Sequence, residues 1–506
     1  MTTTAQSTQG TTRPADDAVS RILARHGGAA AKAGADGDGQ AGYDGDQFDL
    51  EERNALRRVG GLAGELSTEL TDVTEVEYRQ LRLERVVLAG VWSSASASAE
   101  DAENSLRELA ALAETAGSTV LDGVLQRRDT PDPGTWLGSG KADELKGVVS
   151  AAGADTVIAD GELSPSQRRA LEDIVKVKVI DRTALILDIF AQHAKSKEGK
   201  AQVELAQLEY LLPRLRGWGE SMSRQAGGRV AGGEGIGSRG PGETKIELDR
   251  RRIRTRMAKL RREIKEMRPA RETRRQSRRR GAVPSVVIAG YTNAGKSSLL
   301  NRLTGAGVLV EDALFATLDP TVRRSQTPDG RTMTLSDTVG FVRSLPTQLV
   351  EAFRSTLEEV GEADVLLHVV DASHPDPEGQ ISAVRDVLAE VGTHGGDGPV
   401  EVVVLNKCDQ ADPEVVSRLL RRERGSVVVS ARTGEGLDAL RDRIAEVLPH
   451  PEVLVDVVVP YSRGDLVSRV HSTGEVLSTE HTEDGTRVVA RVAPDLAAEL
   501  GVPAPA

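Results

Sequence analysis

Residues Gly290 to Ser297 read Gly-Tyr-Thr-Asn-Ala-Gly-Lys-Ser, which matches the phosphate-binding loop pattern G-x-x-x-x-G-K-S/T at every fixed position. The apolar run 285–289 before it is typical of a buried parallel strand, and the residues after it have the apolar spacing of a helix. In this context Gly290 and Gly295 would let backbone N–H groups face phosphate oxygens at a helix N-terminus, where the dipole favours negative charge. The stretch therefore predicts a nucleotide phosphate site, with Lys296 on the β- and γ-phosphates and the Ser297 hydroxyl on Mg²⁺.

A second motif follows the phosphate loop, after a predicted strand at 332–336. Asp337-Thr-Val-Gly340 has the D-x-x-G pattern, in which Asp337 would support the Mg²⁺ shell and Gly340 would present its N–H to a γ-phosphate. The pattern alone is common. Its position at the end of a strand downstream of a phosphate loop makes it informative.

Two later motifs predict which base is bound. Asn406-Lys-Cys-Asp409 follows an apolar run and has the N-K-x-D pattern. The Asp409 carboxylate would accept hydrogen bonds from guanine N1 and N2, which adenine does not offer in that geometry, so the motif predicts GTP. Asn406 would brace neighbouring loops and Lys407 would lie over the base. In Ser430-Ala-Arg432, the N–H of Ala431 would meet guanine O6.

A polar break at Phe315-Ala-Thr-Leu-Asp-Pro-Thr321 is suited to a mobile switch segment. Thr317 is the predicted contact to Mg²⁺ and the γ-phosphate, with Thr321 as the alternative. Ras-like enzymes carry a water-orienting glutamine directly after D-x-x-G, and this chain has Phe341 there. An apolar side chain cannot orient water by hydrogen bonding, so hydrolysis must use another group or a partner and should be slow alone.

The predicted guanine-nucleotide site collects the residues of these motifs. Lys296, Thr317 and Gly340 are assigned to the reaction, Ser297 and Thr317 to the metal, and Mg²⁺ and GTP are the predicted cofactor and substrate. The predicted nucleotide-binding residues are Gly290, Tyr291, Thr292, Asn293, Ala294, Gly295, Lys296, Ser297, Phe315, Ala316, Thr317, Leu318, Asp319, Asp337, Thr338, Val339, Gly340, Asn406, Lys407, Cys408, Asp409, Ser430, Ala431 and Arg432.

Length and composition limit the class of protein. A chain of 506 residues should hold about three domains. The single cysteine, Cys408, excludes an internal disulfide and is interpreted as structural rather than redox-active. His368 lies within an apparent strand and is interpreted as a core residue. Neither an apolar run of 18 residues nor a signal pattern is present, which predicts a soluble cytoplasmic protein.

Charge is distributed unevenly along the chain. The segment 250–280 holds 16 Lys and Arg against three Glu, a net +13 that leaves −25 for the rest of a chain with net charge −12. Its first part, 250–267, has helical apolar spacing, and 272–280 reads as a charged linker. A basic arm in an acidic protein points to a polyanionic partner such as nucleic acid, although a solvated helix face is the plainer alternative.

These patterns predict α/β domains followed by a small α+β domain at the C-terminal end of the sequence. Residues 1–80 begin with low-complexity sequence and are predicted to be largely disordered. Residues 81–283 predict an α/β domain with a mainly parallel sheet, followed by helices at 183–212 and in the basic arm that pair with each other. Residues 284–450 predict a P-loop GTPase domain, and 451–506 a small α+β domain.

Between the two predicted helices, 227–242 is half glycine and carries Arg229 and Arg239. It contains a formal G-x-G-x-x-G match, which is rejected as a dinucleotide site because no strand precedes it. A loop is the preferred interpretation, and long loops without structure are often functional.

Together these motifs resemble the HflX family of translational GTPases, within the group that also holds the Obg proteins. The resemblance covers about residues 81–450. Besides the phosphate loop, the switch segment and Asp337-Thr-Val-Gly-Phe341, it rests on Asp181-Arg-Thr-Ala-Leu-Ile-Leu-Asp-Ile-Phe190 and Ser238-Arg-Gly-Pro-Gly-Glu-Thr244.

The resemblance implies a GTPase that works as a monomer on the large (50S) ribosomal subunit in the cytoplasm. Family members hydrolyse GTP there and split stalled or hibernating ribosomes, with the N-terminal domain and helical linker near 23S rRNA. Some members also use ATP through the N-terminal region, and no motif here supports that. The alternative function is a regulatory GTPase that acts on a protein partner or in ribosome assembly.

Overall fold

The computed structural model describes residues 14–31, 85–94, 98–215, 241–280, 283–305, 314–315, 317, 321–343, 359–390, 398–450 and 453–502. In these ranges the strands form three sheets with helices packed against them, which confirms the predicted α/β class. None of the helices described there is long and apolar enough to cross a membrane.

The first sheet is parallel throughout, as predicted, with the strand order β2-β1-β3-β4. Val86 and Leu88 of β1 contribute to one hydrophobic core, and Val87 and Ala89 to another. The central strand is therefore covered on both faces, which explains why its sequence is an unbroken apolar run. The elements of this unit are α1 Pro14–Ala31, β1 Arg85–Trp92, α2 Ala99–Thr115, β2 Thr119–Arg127, α3 Ser139–Ala152, β3 Thr156–Ala159, α4 Pro165–Val175 and β4 Lys178–Asp181.

Helix α1 is an ordered part of 1–80, a segment that was predicted to be largely disordered. Ala18, Val19 and Ile22 are buried in the core shared with β1 and α2. A Cβ at Gly123 of β2 would lie 2.7 Å from Ile22 Cδ1, so the helix packs directly on this glycine. The apolar spacing of three residues was hidden by the low-complexity sequence around them. The rest of 1–80 lies outside the described residues.

A helix pair carries the basic segment, as α5 Arg182–His193 leads into α6 Lys197–Arg214, which packs against α7 Pro241–Arg280. The predicted single helix 183–212 is thus broken in two, where Ser196 caps α6 by accepting the Gly199 N–H at 2.8 Å. Arg256 pairs with Glu204, and Arg261 with Glu209, both across 52 positions, so α6 and α7 run parallel.

The linker predicted at 272–280 is wrong, because α7 continues as a helix to Arg280. The prediction rested on the loss of the apolar stripe, but arginine is a good helix former and can continue a helix without one. Of the glycine-rich stretch 227–242, only Pro241 and Gly242 belong to the described backbone.

The second sheet has the order β10-β9-β8-β5-β7-β6, and only the β6–β7 pair is antiparallel. Strands β5, β7 and β9 end at Gly290, Asp337 and Asn406, so the predicted motifs meet at the carboxyl edge of the sheet. The elements are β5 Ser285–Gly290, α8 Lys296–Thr304, β6 Val322–Gln326, β7 Thr332–Asp337, β8 Val365–Asp371, α9 Pro377–Glu390, β9 Val400–Asn406, α10 Pro413–Arg422, β10 Val427–Val428 and α11 Leu437–Val447.

The third sheet is antiparallel, with the order β11-β13-β12, and has its own core around Val455, Val470 and Val488. It agrees with the predicted α+β pattern. Its elements are β11 Val453–Val459, α12 Gly464–Thr473, β12 Glu475–Thr482, β13 Gly485–Val492 and α13 Pro494–Glu499.

Candidate nucleotide site

Two glycines fix the shape of the phosphate loop between β5 and α8. A Cβ at Gly290 would lie 2.1 Å from the carbonyl oxygen of Val369, and one at Gly295 would lie 2.3 Å from Asn406 Nδ2. Gly295 also has φ +91°, a region that disfavours other residues. Neighbouring strands therefore approach the loop so closely that only glycine fits, and the loop opens directly onto the N-terminus of α8, where anions bind favourably.

Three oxygen-bearing side chains from different elements converge beside the loop. The Ser297 hydroxyl lies 2.9 Å from Thr317 Oγ1 and donates to Asp337 Oδ2 at 2.6 Å. Thr321, the alternative to Thr317, is joined to this region through its backbone carbonyl, which accepts the Asp337 N–H at 3.2 Å. Hard oxygen donors of this kind suit Mg²⁺. Among the described residues no group of three His, Cys, Asp or Glu forms a metal cluster.

Lys296 and Asp337 are buried close together. The Lys296 ammonium donates to the carbonyl oxygen of Tyr291 at 2.9 Å. Burial lowers the pKa of Lys296 to about 8, with Asp337 acting in the opposite direction. Burial also raises the pKa of Asp337 above its ordinary value. A buried cation at the floor of a phosphate loop is an electrostatic site for an anion, since bound phosphate would supply the missing negative charge.

The D-x-x-G segment lies directly on the phosphate loop. The Thr292 N–H donates to the carbonyl of Phe341 at 2.7 Å, and the Phe341 N–H donates to the carbonyl of Gly290 at 3.1 Å. A Cβ at Gly340 would lie 2.6 Å from Thr292 Cγ2 and 3.1 Å from Lys296 Nζ. Only a glycine lets this backbone approach the lysine that is predicted to hold the γ-phosphate.

Asn406 joins the phosphate loop to the loop after β10, as predicted. Its Nδ2 donates to the carbonyl of Ala294 at 2.7 Å, and its Oδ1 accepts the Ala431 N–H at 3.0 Å. The Ala431 N–H was predicted to contact guanine O6. In the structure it donates to Asn406 instead, because the link between the two loops uses this backbone donor. Lys407 lies with Nζ 2.7 Å from Asp371 Oδ2.

Asp409 is held between two polar side chains. The Ser430 hydroxyl donates to Asp409 Oδ1 at 2.6 Å, and a guanidinium nitrogen of Arg432 lies 2.6 Å from Oδ2. The Ser430 hydrogen bond, and then the charge of Arg432, lower the pKa of Asp409. The carboxylate is therefore ionised and acts as an acceptor at neutral pH, as base recognition requires.

Cys408 and His368 have the structural environments that the sequence predicted, whereas three predicted nucleotide contacts are not described by the structure. Burial and the charge of Glu435 raise the pKa of the Cys408 thiol, so it is not a reactive thiolate, which supports the structural interpretation. His368 is buried in β8 with Nδ1 2.7 Å from Glu401 Oε1. The predicted contacts Ala316, Leu318 and Asp319 lie outside the described residues.

The first unit contributes residues to this site that the motifs did not reveal. The Tyr291 hydroxyl donates to Glu108 Oε2 and accepts the Arg343 N–H, both at 2.5 Å. Arg182 pairs with Glu108 and Asp160, and these charges raise the pKa of Arg182 despite its burial. An ion network of the first unit therefore contacts both the phosphate loop and the segment after D-x-x-G.

An aromatic contact joins the first unit to the switch segment. The rings of Phe190 and Phe315 meet edge to face with centroids 4.6 Å apart. Phe341 is 3% exposed and belongs to the same core.

Comparisons with known proteins identify the family to which this chain belongs. Family models match along the chain: "GTP-binding GTPase N-terminal" over 103–191, "GTP-binding GTPase Middle Region" over 193–278, "50S ribosome-binding GTPase" over 285–407 and "HflX C-terminal domain" over 415–502. GTPase HflX of Lacrimispora saccharolytica is 45% identical over 433 residues, which cover 86% of this chain and 98% of the relative. The chain belongs to the HflX family of GTPases.

GTPase HflX of Escherichia coli K12 is 42% identical over 407 residues, covering 80% of this chain and 92% of the relative. A solved GTP-binding protein from Sulfolobus solfataricus in complex with GDP is 26% identical and covers 72% of this chain and 98% of its own, with a TM-score of 0.38. The family models and the HflX relatives confirm the predicted family and GTPase activity. This HflX-family chain is a guanine-nucleotide hydrolase of the ribosome-binding GTPase family.

Proposed function

We propose that this HflX-family GTPase binds the large (50S) ribosomal subunit, contacts 23S rRNA through α7 and splits or rescues stalled or hibernating ribosomes as a monomer in the cytoplasm. The observation that carries the proposal is the charge pattern of α7. Arg251 and Arg254 are exposed, whereas Ile253, Met257 and Leu260 of the same helix pack against α6. Within the described residues they form no ion pair, so their charge is available to phosphates.

In the proposed reaction, backbone N–H groups of the phosphate loop and Lys296 bind the β- and γ-phosphates. Ser297 and Thr317 would hold Mg²⁺, and Asp337 orients Ser297 by accepting a hydrogen bond from its hydroxyl. Bound Mg²⁺ would supply charge neutralisation between phosphate oxygens. Gly340 presents its N–H to the γ-phosphate, and Asp409 selects guanine. Phe341 is buried and apolar, so a group supplied by the ribosome, or a backbone carbonyl ordered by it, positions the water.

Replacing Arg251 and Arg254 together by Gln is expected to weaken binding to large subunits and to flatten its salt dependence. The slope of log K against log salt should become shallower by about 0.7 to 0.9 for every phosphate that is no longer neutralised. Cosedimentation with purified large subunits at three salt concentrations, in the presence of a non-hydrolysable GTP analogue, measures the slope. GTP affinity of the free protein should stay within about twofold, since neither residue contacts the nucleotide site.

Arg256 and Arg261 provide a matched control with the same change of charge. Both are already neutralised by Glu204 and Glu209, with contacts of 2.6 and 2.8 Å. Replacing them by Gln should alter the salt slope less, while loosening the α6–α7 pair in a thermal melt. Equal affinities and parallel slopes for wild type and the Arg251/Arg254 variant would leave α7 as a solvated helix and favour a protein partner instead.

A further inference from the structure

The carboxylate of Asp409 carries a contact that its motif did not predict. Arg432 follows directly after the Ser430-Ala431 pair, and its guanidinium lies 2.6 Å from Asp409 Oδ2. The Asp409 side chain is 10% exposed, whereas that of Arg432 is 70% exposed. One partner of this ion pair is therefore fixed in the site, and the other can leave into solvent.

The backbone beneath Arg432 is held independently of this pair. Arg302 of α8 donates its Nε to the carbonyl of Ala431 at 2.9 Å, and a terminal guanidinium nitrogen to the carbonyl of Arg432 at 2.5 Å. Ala431 is also fixed by its hydrogen bond to Asn406. The Arg432 side chain can therefore leave Asp409 by rotation alone, without moving the loop.

Guanine and Arg432 would use the same acceptor. Guanine presents the N1–H and N2–H₂ donors side by side and engages both oxygens of a carboxylate, whereas Arg432 occupies Oδ2 alone, as an ion pair through one guanidinium nitrogen. We propose that Arg432 competes with guanine for Asp409 and thereby lowers the affinity for guanine nucleotides. This inference rests on the proposed role of Asp409 in base recognition. Its consequence is slower association of guanine nucleotides, because Asp409 is available to guanine in only a fraction of the nucleotide-free molecules.

The size of the effect follows from the exposure of the pair. Ion pairs with one solvated partner correspond to a factor of about 1.5 to 5 in an equilibrium constant. A competing intramolecular state reduces the apparent affinity by the fraction of molecules in which the site is available. Because salt screens exposed charges, the competition should weaken as ionic strength rises.

Arg432→Ala is expected to tighten GDP binding by about two- to fivefold at low salt and to raise the association rate constant of GDP by a similar factor. The gain should shrink as salt is raised. Equilibrium titration with fluorescent GDP and stopped-flow measurement of its association give both quantities on the full chain. Arg418→Ala is the matched control: it removes an exposed arginine paired with Glu378 at 2.7 Å on α10, and should change neither quantity.

A second pair of variants separates this inference from the assignment of Asp409. In an Asp409→Asn background the competing carboxylate is gone, so adding Arg432→Ala should leave binding of xanthosine diphosphate unchanged. Weaker or unchanged GDP binding by Arg432→Ala at low salt would overturn the competition. An Asp409→Asn variant that still prefers GDP to xanthosine diphosphate would instead overturn the base assignment on which it rests.

Discussion

Asp409→Asn is expected to lower GTP affinity by roughly 100-fold and to make xanthosine triphosphate the preferred nucleotide. The two guanine donors would each lose a hydrogen bond to a charged acceptor, worth about 1.5 kcal/mol or more apiece, and tenfold in affinity corresponds to about 1.4 kcal/mol. Xanthine carries a carbonyl in place of the guanine amino group, so the amide N–H of Asn would find an acceptor. Calorimetric titration with both nucleotides measures the exchange of preference.

Two features of the site make this test specific. Asn can still accept from Ser430, which now donates to Asp409 Oδ1, so the loop should keep its shape. Lys296→Ala is the contrasting variant, since removal of the phosphate-binding cation should weaken both nucleotides alike. Equal GTP affinity of wild type and Asp409→Asn would remove Asp409 from the base site.

Arg182→Met is expected to lower the free energy of unfolding of the first unit by about 3 to 5 kcal/mol, the range found when one partner of a buried ion pair is removed. The Arg182 side chain is 6% exposed and separates Glu108 from Asp160, which are 14% and 11% exposed. Without Arg182, two carboxylates would share a water-poor site without a cation. Urea unfolding followed by tryptophan fluorescence suits the measurement, because all three tryptophans precede the second sheet and two, Trp92 and Trp136, lie in the first unit.

Arg107→Met is the matched control in the same unit. It removes an exposed i,i+4 pair with Glu103, and such pairs contribute about 0.3 to 0.5 kcal/mol. Adding Glu108→Gln and Asp160→Asn to Arg182→Met should recover much of the loss, because neutral side chains no longer repel. An Arg182→Met variant within about 1 kcal/mol of wild type would show that water or another group already compensates the two carboxylates.

Contiguous motifs were the part of the site that the sequence could predict. Neighbouring backbone or side-chain atoms leave no room for a Cβ at Gly290, Gly295 and Gly340. Glycine is therefore required at these positions, and its fixed spacing can be recognised in the sequence. The parallel sheets were predictable for a related reason, since strands covered on both faces become unbroken apolar runs such as that of β1.

Contacts between distant segments were not predictable in the same way. Glu108 and Tyr291 are 183 positions apart, and nothing in the local pattern of α2 distinguishes this glutamate from an exposed one. Helix α1 was not predicted either, because its three buried residues form too short an apolar pattern to be recognised in a low-complexity sequence. The Arg432 contact depends on side-chain rotation, which no motif encodes.

The rate of GTP hydrolysis with and without large ribosomal subunits tests the central claim most directly. Phe341 is buried against the first unit and cannot orient water, so single-turnover hydrolysis by the free protein should be slow. The rate should rise by roughly tenfold or more with saturating large subunits, but not with small subunits. The stimulation should fall in the Arg251/Arg254 variant as its binding weakens. A free protein that already hydrolyses GTP at the rate seen with large subunits would contradict the account.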